Sequence, residues 1–326
     1  MPEGEPKKIV YLFGAGATHA ELQNLDPDLV EEKSGLLIGN VSSRVIEKAR
    51  RDDRYMEEVA MVSATSGSLN IELLISLIEN SKIHDWEYKI GRLKTLVQDD
   101  IEDVLSKVRP GRFFLHKALF ELHTHDSCKR EEDLIGLISL NYDDVLDRAY
   151  EQYFGRPNYC LSLEDKSSSG PIPLLKLHGS FNWKRQMVRG RWRKIEIIPL
   201  GAAKTYLHAP YGFIWSRALE ILIRCDKLRV IGCSLSPNDA HLIDLLFKAH
   251  LEKGRAFELE IISSTESGEV IRRNYGFFRG IKTLVDVDNS IAEANPANPF
   301  KTWLKHKGVR MLGEPTIIGT RYLRKI

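Results

Sequence analysis

Glycines, hydroxyls, an amide, a carboxylate and an imidazole recur directly after apolar runs of this sequence. The stretches are Gly14-Ala15-Gly16-Ala17-Thr18, Asn141-Tyr142-Asp143-Asp144, His178-Gly179-Ser180, Gly232-Cys233-Ser234-Leu235-Ser236 and Ser263-Ser264. Such a set suits a phosphorylated, sugar-bearing ligand. Gly14 and Gly16 stand where a strand turns into a helix, a place where backbone N–H groups approach a phosphate and the helix N-terminus favours its charge. The same glycines serve equally well in a turn that needs them for geometry alone. Thr18 is a phosphate donor or an N-cap. His19 stands where the third glycine of G-x-G-x-x-G would fall, and no acidic strand end follows about 20 residues later, which speaks against a dehydrogenase of the usual dinucleotide type. His178 can act as a general base near neutrality or can brace a neighbouring loop. Asn141 orients a water or hydroxyl, or caps a helix. Asp143 holds a cationic or amide group, or supplies first-turn helix charge. Among the other histidines, His84, His116, His123, His125, His208 and His250 show no metal-ligand spacing, so no metal is expected. His123 and His125 read as surface residues, and His241, just after Asp239, is left open.

Elements that position these residues are legible from periodicity. Ile9-Val10-Tyr11-Leu12-Phe13 is continuously apolar, as a parallel strand buried on both faces should be. From about 41 to 122 the pattern is helical. Ile71, Leu74, Ile75 and Ile78 make one stripe, and Trp86, Ile90, Leu93, Val97, Ile101, Val104 and Val108 another, ended by Pro110-Gly111. Residues 44–58 alternate charge like the solvated face of a further helix. Strand-like runs follow at 134–140, 174–177, 195–200, 228–231 and 259–262, separated by polar turns and helical patterns. Loops rich in Ser, Gly and Pro are expected at 162–173 and 289–299. An α/β fold with a parallel sheet flanked by helices is the expectation.

A formal charge of +2 from 47 Lys and Arg against 45 Asp and Glu removes the usual basis for a nucleic-acid protein. Lys184, Arg185, Arg189, Arg191 and Arg193 do cluster near Trp183 and Trp192, but their spacing suggests a hairpin with solvated charge. Hydrophobic residues at 43% and charged residues at 28% are ordinary globular usage, which excludes global disorder. No apolar run approaches the roughly 18 residues of a membrane span. Cys128, Cys160, Cys225 and Cys233 contain no C-x-x-C pair, so neither a disulfide scaffold nor a four-cysteine zinc site is indicated. The polar start, Met1 to Lys8, reads as no secretory signal, and a cytoplasmic location is expected.

Taken in order, F-G-A-G-A-T (13–18), S-L-N-Y-D (139–143), K-L-H-G-S-F-N-W (176–183) and I-G-C-S-L-S-P (231–237) resemble the sirtuin family. The likeness is greatest to zinc-less bacterial members found in antiphage defence systems, and N-I-E-L-L-I-S-L-I-E (70–79) looks like a helix those domains carry near the site. It implies a Rossmann-like NAD-binding domain over 1–40 and 131–290, a helical insertion over 41–130 in place of the zinc module, and a tail over 291–326 available for oligomer contacts. Carried over by position, Gly14, Ala15, Gly16 and Thr18 would hold the pyrophosphate, and Asn141, Asp143 and His178 would be catalytic. Gly232 and Ser234 would line the ribose and phosphate path, and Ser263 would lie near the adenosine ribose. The implied activity is hydrolysis of NAD+ to nicotinamide and ADP-ribose by a homo-oligomeric defence effector, with a HerA-type ATPase or an Argonaute-like protein as partner. Absence of the zinc pairs and of Pro-Asp-Phe-Arg after the glycine turn points away from protein deacylation. A deacylase, an ADP-ribosyltransferase, or a non-catalytic NAD or ADP-ribose-binding assembly module are the alternatives.

Overall fold

The computed structural model describes residues 5–30, 35–52, 59–61, 71–82, 84–108, 113–124, 131–162, 172–183, 185–188, 191–194, 209–235, 239–254, 258–264, 273–274, 281–287 and 298–308. In chain order the named elements are β1 (Lys7–Phe13), α1 (Ala15–Leu25), α2 (Ile38–Asp52), α3 (Ile71–Ser81), α4 (Trp86–Ser106), α5 (Leu115–Thr124), β2 (Glu132–Ser139), α6 (Val145–Phe154) and β3 (Leu174–Lys176). They continue with β4 (Arg185–Val188), β5 (Arg191–Lys194), α7 (Tyr211–Arg224), β6 (Lys227–Ile231), α8 (Ala240–Lys253), β7 (Glu258–Ser264), β8 (Ile281–Val287) and α9 (Pro299–His306). Six strands form one parallel sheet in the order β3-β2-β1-β6-β7-β8, while β4 and β5 make the expected antiparallel hairpin. The chain steps outward from β1 to β3, then returns to place β6 beside β1. That is the Rossmann-like order, and its reversal opens a crevice at the carboxyl ends of β1 and β6.

The alternation of β1 explains its unbroken apolar run. Ile9, Tyr11 and Phe13 face one core with α1 to α6 and α9, and Val10 and Leu12 face a second with α7 and α8. The two helical stripes bury their apolar residues as expected, and buried polar groups tie the helices together. Asp100 of α4, 2% exposed, accepts from Arg44 Nε at 3.0 Å and Lys48 Nζ at 2.7 Å of α2. The Ser42 hydroxyl accepts from the backbone N–H of Ile71 at the start of α3 (3.0 Å). Glu21 of α1 is fully buried and caps α5 from outside, accepting from the N–H groups of Phe114 (2.6 Å), Leu115 (2.9 Å) and His116 (2.9 Å). Through that cap, and through packing on α6, α9 and β2, α5 covers the sheet together with the Rossmann helices.

Three sequence expectations are corrected or extended. His123 is buried, not superficial, because His116, Leu119, Phe120 and His123 form the inward stripe of α5. Its Nε2 meets the Tyr11 hydroxyl at 2.7 Å. The tail's helix α9 turns Phe300, Trp303 and Leu304 into the core, all at 1% exposure or less, so those side chains are not available for oligomer contacts. Helices α7 and α9 and strand β8 were not singled out by the sequence reading. The strand expected at 195–200, most of the loops at 162–173 and 289–299, the tail beyond 308, and His125, His208, Cys128, Lys184, Arg189, Ser236 and Pro237 lie outside the described residues.

Below α9, Arg229 of β6 is fully buried between Glu132 (2.6 Å) and Glu260 (2.6 Å), with Trp303 and Tyr11 rings against its guanidinium. Burial, reinforced by Arg229, pushes the His123 imidazole down to about 4. Burial raises the Glu132 carboxyl, but Arg229 and Lys227 outweigh it and hold the group at about 2. For His123 the unfolded chain, titrating near 6.5, binds more protons than the folded one. Stability therefore falls as pH drops from about 6.5 toward 4, by at most about 3 kcal/mol from this group. Urea unfolding at pH 7 and pH 4.5 should show that decline, and His123→Phe should make it smaller while leaving Tyr11 bound to Arg229. An undiminished decline in the variant would remove His123 as its source.

Candidate active site

Backbone meets backbone where the turn after β1 crosses the loop after β6. Gly14 N–H donates to the Ile231 carbonyl (3.0 Å), and Gly16 N–H to the Gly232 carbonyl (2.9 Å). Gly232 has φ +62°, and a Cβ there would stand 2.2 Å from the Ala17 nitrogen. A Cβ on Gly14 would stand 2.5 Å from the Gly232 oxygen. The geometric reading of these glycines is thus satisfied by the structure itself. It also narrows the donors left for a phosphate. Ala17 N–H turns back to the Gly14 carbonyl at 2.9 Å, which leaves the Ala15 N–H, at the start of α1, without a described partner.

Asn141, just past β2, reaches over this turn. Its Nδ2 donates to the Gly14 carbonyl and to Thr18 Oγ1, both at 3.0 Å, and Thr18 donates onward to Asp143 Oδ2 at 2.9 Å. The direction of this chain fixes the amide. A carbonyl only accepts, and the Thr18 proton is engaged by the carboxylate, so the nitrogen of Asn141 must face both. Its Oδ1 faces away and has no partner among the described residues. Asp143 is turned inward: Oδ1 accepts from Val145 N–H (3.1 Å), and burial pushes its carboxyl up, against the lowering pull of Lys176. Lys176, fully buried at the end of β3, donates to the Asp143 carbonyl and to Asp147 Oδ2 (2.9 Å). Tyr159 (2.5 Å) and Asn182 (3.3 Å) complete the Asp147 shell.

His178 follows β3, and the loops after β2 and β3 are stitched together. The Tyr142 carbonyl accepts from Ser180 Oγ (3.1 Å) and Phe181 N–H (3.0 Å). The Tyr142 and His178 rings lie 6.0 Å apart between centroids. Burial drives the Tyr142 hydroxyl well up, with Glu72 of α3, Asp239 and Tyr211 of α7 adding to it, so it stays neutral. His178, 5% exposed, has its Nε2 3.7 Å from Asp239 Oδ1.

The structure therefore joins Gly14, Thr18, Asn141 and Asp143 by direct hydrogen bonds, and Gly14, Gly16 and Gly232 by backbone contact. His178 is linked to this group through Tyr142, the residue between Asn141 and Asp143, whose ring centroid lies 6.0 Å from that of the imidazole. Ser263 sits one strand further along, near the end of β7, where the preceding Ile262 carbonyl accepts from Gly232 N–H at 3.3 Å. Ser234 is exposed, its carbonyl accepting from Asn274 Nδ2 at 2.9 Å. Tyr142, Asp147, Lys176 and Asp239 were not singled out as site residues. Lys176 carried a signal, as a lone cation inside the apolar run Leu174-Leu175-Lys176-Leu177 that demands a buried partner. The described residues include no group of side chains suited to a metal ion.

No protein-family model and no curated protein matches the chain. Among solved structures, a Sir2 homologue in complex with NAD shares 15% identity over 84% of this chain and 91% of its own, with a TM-score of 0.35. A variant Sir2 homologue in complex with ADP-ribose shares 15% over 84% and 94%, with a TM-score of 0.36. Values of that size leave the fold resting on this chain's own strand order.

Gly232→Ala should cost roughly 2–4 kcal/mol, combining overpacking with a left-handed backbone. Gly254→Ala is the control: φ is +66° there too, but a Cβ meets nothing within 4 Å, so only about 1 kcal/mol is expected. Equal losses in thermal or urea unfolding would contradict the close-approach account of Gly232.

Proposed function

We propose that this chain hydrolyses NAD+ at the bond between nicotinamide and ribose, releasing nicotinamide and ADP-ribose. The observation that carries the reading is the Asn141 side chain, locked by its nitrogen onto Gly14 and Thr18 with its oxygen left as an acceptor without a partner among the described residues. An acceptor so fixed holds one hydrogen of a water, and the imidazole takes the other. In the balanced step, the water oxygen bonds to the ribose carbon and loses a proton to His178. Nicotinamide departs with the bonding pair on its ring nitrogen, which thereby loses its positive charge, as in other glycosyl cleavages. Thr18 and Asp143 act behind Asn141, keeping its amide in register. The Ala15 N–H and the α1 N-terminus suit the pyrophosphate, with Gly232 and Ser234 along the ribose and phosphate path and Ser263 toward the adenosine ribose.

The ordered motifs, which resemble those of zinc-less defence sirtuins, support the same reading. They carry with them a cytoplasmic antiphage role in which NAD is depleted, self-association of the chain, and a trigger from a HerA-type ATPase or an Argonaute-like protein. Purified chain, assayed over a range of protein concentrations with and without such a partner, should release nicotinamide from NAD+. Asn141→Ala and His178→Ala should each lose about 100-fold or more. Parental rates in both variants would overturn the assignment, and product formation that requires an acyl-lysine peptide would move it to deacylation.

A further inference from the structure

Asp239 occupies the residue just before α8, where a carboxylate ordinarily accepts from the first-turn N–H groups of the helix. Here its side chain makes no capping bond, although its carbonyl accepts from Ile243 N–H at 3.1 Å. The carboxylate lies instead 3.7 Å from His178 Nε2, with the two side chains 18% and 6% exposed. In the sheet, β3 and β6 are separated by β2 and β1. A contact between the loop after β3 and the residue opening α8 therefore arches over the carboxyl ends of the two strands that carry Asn141 and the glycine turn.

We infer that Asp239 is a positioning residue, which holds the His178 imidazole across the crevice and stabilises the proton that imidazole accepts. The inference rests on the NAD+ hydrolysis reading for its catalytic meaning, but the pairing itself does not. A carboxylate at ion-pair distance in a partly buried setting favours the protonated ring. Near it stand the Tyr142 ring from the loop after β2 and, acting on the Tyr142 hydroxyl, Glu72 from α3 and Tyr211 from α7. Tyr142 stays neutral, and the Asp239 carboxylate stands at ion-pair distance from the imidazole.

The test is the NMR titration of His178 in the ligand-free protein, alongside the pH profile of nicotinamide release. Asp239→Asn should lower the His178 midpoint by about one pH unit, the scale of one charge partner. A base works only when deprotonated, so the acid limb of the rate profile should move to lower pH by the same amount. The plateau kcat should fall about tenfold or more with KM little changed. Asp239→Glu should restore both the limb and part of the rate. An unmoved His178 midpoint in Asp239→Asn overturns the inference, whatever happens to the rate. A moved midpoint in a chain that releases no nicotinamide leaves the pair standing and removes the NAD+ hydrolysis reading instead.

Discussion

Two amide-to-carbonyl bonds between the turn after β1 and the loop after β6 hold the two halves of the parallel sheet in register where the strand order reverses. They form because both segments bring backbone too close together for any side chain. The Gly14 and Gly16 N–H groups are satisfied across the seam by the carbonyls of Ile231 and Gly232, with no room between the segments for a side chain. The Gly14 carbonyl is then left facing the end of β2, and Asn141 reads it directly. A seam of this kind is stiff, because it has no rotamers to exchange. The orientation of the Asn141 amide is inherited from the backbone of two strands, and a site built on strand ends keeps its geometry better than one built on a free loop.

Buried charge is distributed unevenly over the sheet, and the two clusters have different consequences. Arg229 with Glu132 and Glu260 lies within the strands under α9 and α5, closed by aromatic rings. It fixes which helices dock on that face, since each partner left alone would be an uncompensated buried charge. Lys176 with Asp147 lies beneath the loops after β2 and β3. It draws the Asp143 carbonyl down toward the end of β3, which turns the Asp143 side chain inward onto Thr18 and Val145 N–H. One cluster secures the fold, and the other sets the floor of the crevice.

What was legible in the sequence follows from local physics. The run from Ile9 to Phe13 announced a doubly covered strand, and the stripe from Trp86 to Val104 announced a long helix, because periodicity is a property of neighbouring residues. The list of strand-end residues was legible for the same reason. Partnerships across the chain were not. Glu21 capping α5 spans the chain from 21 to 116, and Trp303 bonding Glu260 spans 43 residues. The stripe from His116 to His123 was present but polar at both ends, so it did not register as a core face. An acidic residue before a helix, such as Asp239, has a sufficient local explanation as a cap, so its pairing with His178 leaves no mark in the sequence.

The residues flagged for chemistry do not end up alike, and burial sorts them. Asp143 is buried and meets three protein partners through its side chain and carbonyl. Thr18 is likewise committed at both ends, accepting from Asn141 and donating to Asp143. Following the hydrogen bonds outward from Asp143, every donor and acceptor is matched until Asn141 Oδ1. A chain of directional bonds that begins at a buried carboxylate and ends at one unmatched oxygen has a defined output. On the proposed reading, the donor this oxygen accepts from is a water or a ribose hydroxyl.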